Sequence, residues 1–67
     1  MVKIGDRIEL LETTDSYLKP GFKGRVTNIS TTKVSEQYII EVNWDDGTNL
    51  ALIEGEDRFK VIERVDS

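Results

Sequence analysis

The sequence predicts an all-β domain, a five-stranded SH3-like small barrel with one short 3₁₀ turn before the last strand. Three observations carry that expectation. Every stretch longer than about ten residues is cut by a glycine, a proline or a cluster of Thr and Ser, so helical periodicity has no room to develop. Short runs rich in Val, Ile, Thr and aromatics lie between those breaks, which is the composition of strands. Between two such runs, Asp45-Asp46-Gly47 is a strong hairpin signal.

The first strand is expected over Arg7–Leu11, with Ile8 and Leu10 on one face. A polar loop from Glu12 to Lys19 ends at Pro20-Gly21. That dipeptide suits a type II turn, because proline fixes φ and glycine supplies φ > 0. The second strand is placed at Gly24–Ser30 with Val26 inward. Val26 and Ile29 fall out of phase, which predicts a bulge or a strong bend. In the third, Gln37–Trp44, the side chains of Tyr38, Ile40, Val42 and Trp44 share one face at a period of two. The fourth, Thr48–Ile53, follows the hairpin directly. Glu54-Gly55-Glu56-Asp57 is too short for an α-helix and reads as one 3₁₀ turn. The fifth is Phe59–Glu63, with Phe59 and Val61 on one face. A five-stranded OB-fold is the competing topology. It normally carries a helix between its third and fourth strands, where this chain has only Asp45-Asp46-Gly47.

A chain of 67 residues has room for one core, so residues 1–67 are expected to form a single domain. There is no cysteine and no histidine, which removes disulfides and a structural zinc site. No metal and no cofactor is expected. Met1 to Asp6 shows no apolar run of signal-peptide length. The longest apolar run, Leu50-Ala51-Leu52-Ile53, is far short of the about 20 residues a membrane span needs. The expectation is a soluble cytoplasmic protein with no membrane contact. Without histidine, cysteine or a nucleophile elbow, and with a barrel interior filled by side chains, neither catalysis nor a small-molecule substrate is expected.

The net charge of −4 argues against a general nucleic-acid binder, yet its distribution is uneven. Residues 16–35 carry Lys19, Lys23, Arg25 and Lys33 and no acid, whereas residues 36–57 carry Glu36, Glu41, Asp45, Asp46, Glu54, Glu56 and Asp57 and no base. Two candidate sites follow. The leading one is a protein-partner or self-association surface at Trp44, Asp45 and Asp46, where an acidic hairpin adjoins an indole expected to be half core and half surface. The alternative is a nucleic-acid surface at Tyr17, Lys19, Phe22, Lys23 and Arg25, where aromatics and bases interleave as base stacking and phosphate neutralisation require. In the structural reading of that segment, Phe22 belongs to the core and the bases pair with Glu36 and Glu41 on the next strand. Gly21 and Gly24 serve either as an anion-binding nest or as a barrel corner.

Lys19-Pro20-Gly21-Phe22-Lys23-Gly24-Arg25-Val26 resembles the Pro-Gly-x-x-Gly-x-Val signature of KOW-type SH3-like barrels. Gly5-Asp6-Arg7, Trp44-Asp45-Asp46-Gly47 and Asp57-Arg58-Phe59 together look like a short prokaryotic and phage domain family of unknown function. The resemblance covers nearly the whole chain. It implies the SH3-like fold and, through the KOW-like segment, the nucleic-acid alternative; it implies no activity. SH3 domains that bind proline-rich peptides place aromatics in the turn before the last strand. Glu54-Gly55-Glu56-Asp57 has none, so a polyproline groove is not expected.

Overall fold

The computed structural model describes residues 2–14, 16–31 and 37–65. Five strands form one antiparallel sheet: β1 (Arg7–Glu12), β2 (Lys23–Thr31), β3 (Tyr38–Trp44), β4 (Asn49–Ile53) and β5 (Arg58–Glu63). Their order across the sheet is β4-β3-β2-β1-β5. The meander β2-β3-β4 is built from neighbours in sequence, and β5 returns to lie beside β1. A three-residue hairpin joins β3 to β4, and no helix stands there, where the competing OB topology normally carries one. Among the described residues no helix is long and apolar enough to cross a membrane.

Alternation of apolar and polar residues sets which face is buried. Ile8 and Leu10 on β1, Val26 on β2, Ile40, Val42 and Trp44 on β3 and Leu52 on β4 make the core, with Phe59 and Val61 of β5 packed against it. Leu18, from the loop after β1, is also buried and pins that loop to the core. The expected phase break in β2 is a bulge. Val26 faces Val42 and Asn28 faces Glu41, leaving Thr27 as the extra residue. The bulge bends the longest strand, so that Ile29 can point to the same side as Val26.

The turns follow the residues that build them. Phe22 N–H donates to Lys19 C=O (3.1 Å) and Gly21 has φ +96°, the geometry of a type II turn with Pro20 at its second position. At the β3–β4 hairpin, Gly47 N–H donates to Trp44 C=O (2.9 Å) and Trp44 N–H to Thr48 C=O (2.9 Å). This is a type I turn closed by a left-handed glycine at φ +91°. A Cβ on Gly47 would meet nothing within 4 Å, so the cost of replacing it is purely conformational. Gly47→Val is therefore expected to lose about 1–2 kcal/mol in urea titrations, and Gly47→Asn a fraction of that. An unchanged transition for the valine variant would contradict the hairpin geometry.

One expected element takes another form. The segment Glu54–Asp57 is not a 3₁₀ turn: Gly55 has φ +96°, outside any right-handed helix. The N–H groups of Glu56 and Asp57 both donate to Ile53 C=O (3.0 Å each), and a bridge pairs Glu54 with Asp57.

Candidate interaction surface

The motif residues are joined by contacts between segments far apart in sequence. Asp6 is buried, and its carboxylate accepts from Lys3 N–H (2.9 Å) and Val65 N–H (2.7 Å), with the Arg64 guanidinium 3.9 Å away. One side chain thus ties the segment before β1 to the segment after β5. Arg7, next in sequence, points to the outer face and grips Asp45 in a two-pronged pair, Nη1 to Oδ1 at 2.6 Å and Nη2 to Oδ2 at 2.8 Å. Asp57 repeats the role of Asp6. It accepts from Thr13 Oγ1 (2.9 Å), Thr14 N–H (3.3 Å) and Ile53 N–H (2.9 Å), fastening the β4–β5 turn to the first loop. Arg58 beside it reaches Glu12 (3.3 Å).

These contacts redefine the leading candidate site. Trp44 is 2 % exposed, not half surface; its ring lies in the core with its centroid 6.4 Å from that of Phe22, and its Nε1 donates to Leu50 C=O (3.1 Å). Asp45 is occupied by Arg7, and Asp46 accepts from Thr48 N–H (2.9 Å) within the turn. The indole is thus withdrawn from the surface, and of the two carboxylates that follow it Asp45 holds β1 through Arg7 while Asp46 serves the turn.

The alternative set is split between core and surface. Phe22 is half-buried against the core, while Tyr17 is 80 % exposed and Lys19 is exposed on the first loop. Lys23 and Arg25 are exposed on the outer face of β2. Register places Lys23 opposite Glu9 and Arg25 between Arg7 and Asn43. Neither base faces Glu41, because Arg25 already pairs with Asn43 and Lys23 lies nearer the hairpin; past the Thr27 bulge it is Asn28 that faces Glu41, its Nδ2 donating to Glu41 Oε2 (2.8 Å). Glu36 lies outside the described residues. Arg25 Nη1 donates to Gly5 C=O (2.7 Å). Gly21 N–H is directed inward to Leu10 C=O (2.8 Å), and Gly24 packs against Val42 and Trp44. The two glycines therefore serve a turn and a close strand contact.

The edges of the sheet are the remaining surface. β5 is flanked by charge, with Arg58, Lys60 and Glu63 along it, whereas β4 reads Asn49-Leu50-Ala51-Leu52-Ile53 and carries none. Ile53 uses its N–H and C=O on the side away from β3, with Asp57 and Glu56. Alternation along a strand directs the amides of Asn49 and Ala51 the same way, outward from the sheet. A groove of about 480 Å³ runs beside them, lined by Thr27, Glu41, Val42, Asn49, Leu50 and Ala51.

Three carboxyls are held below the usual carboxylate range. The Val65 amide and then the Lys3 amide act on Asp6, the Arg7 guanidinium acts on Asp45, and the Thr48 amide acts on Asp46. A carboxyl depressed by folding gives stability that is fully present above its unfolded value of about 4 and lost as pH falls through the folded value. Thermal melting is therefore expected to be level from about pH 7 to pH 5 and to fall steeply below about pH 4. Asp6→Asn should melt lower at neutral pH and show a flatter acid limb. An acid limb of unchanged slope in that variant would remove Asp6 from this role.

No curated protein and no solved structure matches the chain. A family model does match, over residues 2–62, a span that contains Asp6 and Lys3 but stops short of Val65, and that includes the Arg7–Asp45 pair, the hairpin and the Asp57 clamp. The chain belongs to the family described as a domain of unknown function (DUF4314).

Proposed function

We propose that this chain is a non-catalytic, cytoplasmic interaction module, an SH3-like barrel that takes another polypeptide strand, or a second copy of itself, on an open sheet edge. The observation that carries the reading is β4, an edge strand without charge or proline. Sheet edges are ordinarily blunted by such residues, and an edge left plain is a template for a further strand. The barrel reading is supported by the strand order and by the bulged β2, which is long enough to serve both halves of a folded-over sheet. The non-catalytic reading is supported by the absence of histidine and cysteine from the sequence and by carboxylates already committed to structural donors.

A second reading, a weak KOW-like nucleic-acid module, is favoured by one observation: Lys23 and Arg25 stand exposed side by side on β2 with Arg7 next to Arg25. Amide NMR separates the two. Short DNA and RNA are expected to leave the spectrum unchanged at physiological salt, while a mixture of randomised extended peptides moves the amides of Asn49 to Ile53. Shifts confined to residues 17–26 that fade as salt rises, and that vanish in the Lys23→Glu, Arg25→Glu double variant, would replace the proposal with the nucleic-acid reading.

A further inference from the structure

The charges around β4 say what kind of strand its edge would take. Asp46 precedes it, Glu54 and Glu56 follow it, and all three are exposed. On the outer face, Glu41 of β3 stands directly across from Ala51. Ala51 is the smallest side chain in that row, so the space above it is open and forms part of the groove that Glu41 also lines. A strand added beyond β4 would sit two strand spacings from Glu41, roughly 10 Å, with only a methyl group between. A lysine or arginine side chain spans that gap along the methyl of Ala51; a short or acidic one does not.

Resting on the interaction-module reading, we propose that the β4 edge binds an extended peptide segment with a basic residue opposite Ala51, paired with Glu41, and basic residues at both ends, paired with Asp46 and with Glu54 or Glu56. The same charges disfavour a second copy of this chain. Antiparallel pairing of β4 with another β4 would bring the Asp46 end of each against the Glu54–Glu56 end of the other, and like charges across a strand pair are destabilising.

Two short blocked peptides of alternating valine and threonine test this, one with lysines at its centre and both ends, the other with glutamates at those places. The lysine peptide is expected to bind roughly tenfold more tightly, since several ion pairs replace several repulsions. It should also slow hydrogen exchange at the Asn49 and Ala51 amides. Glu41→Lys, a change at an exposed position, should shrink or reverse the preference. Equal binding of the two peptides would overturn the charge assignment while leaving the interaction module standing. Protection of Asn49 and Ala51 that rises with protein concentration alone would make the occupant a second copy, overturning the inference and again sparing the module. If neither peptide nor concentration affects those two amides, both the inference and the edge-binding module fall.

Discussion

Trp44→Ala is expected to remove about 3–5 kcal/mol of stability, the cost of deleting a fully buried indole and leaving a cavity. The ring closes the core between β2 and the first loop: it packs against Phe22, lies across from Gly24, and fastens to β4 through its bond to Leu50 C=O. A domain of this size, with no disulfide, has roughly 3–5 kcal/mol in total from one hydrophobic core. The alanine variant should therefore be largely unfolded at room temperature. Because Trp44 is the sole tryptophan, circular dichroism rather than fluorescence is the readout. Trp44→Phe keeps most of the volume and loses the N–H donor, so its cost should fall near about 1–2 kcal/mol. A loss under about 1 kcal/mol for the alanine variant would mean the ring contributes as a surface group.

The second large effect is expected at Gly24. A Cβ there would lie 2.7 Å from Val42 Cγ1, 2.8 Å from the Asn43 carbonyl oxygen and 3.0 Å from Trp44 Cα. Two of those three atoms are backbone and cannot rotate away. Gly24→Ala must push β2 and β3 apart at this contact, at a cost of about 3 kcal/mol. The bond from Asp45 N–H to Lys23 C=O (2.9 Å) lies beside that contact and should lose hydrogen-exchange protection first. A denaturation midpoint within error of the parent protein would show that the strands separate there without penalty.

Much of the fold was legible because local chemistry and tertiary structure agree. Each expected strand is present within two residues of its expected ends. The proline-glycine turn, the three-residue hairpin and the phase break at Thr27 each depend on residues adjacent in sequence. The 3₁₀ expectation at Glu54–Asp57 failed because the length of the segment admits either turn, and the left-handed φ of Gly55 decides between them. Leu18 escaped notice because one apolar residue in a polar loop has no periodicity to mark it.

The candidate site was far less legible. Asp57 reads as one charge of the acidic block and Asp6 as the middle of Gly5-Asp6-Arg7, and nothing local tells a buried carboxylate from a solvated one. Besides a donor close by, Lys3 or Ile53, each accepts from one far off in sequence, Val65 for Asp6 and Thr13 for Asp57, 59 and 44 residues away. Arg7 and Asp45 are 38 residues apart, so the turn explained Asp45 well enough to hide its partner. The acidic residues were legible as a block, but the plain edge they border was not. An edge strand is defined by the neighbour it lacks, and only the sheet order supplies that.

The Asp6 clamp also fixes how the fold would respond to mechanical load. Lys3 and Val65 meet on one carboxylate, and Arg7 is paired with Glu63 immediately beside it. Tension arriving through these two segments pulls the antiparallel β1–β5 pair open from that end. The rungs then break singly, as in a zipper, instead of sharing the force as they would in shear. Once Asp6 lets go, β5 peels from β1 at low force, while the β2-β3-β4 meander lies outside the line of pull and yields last.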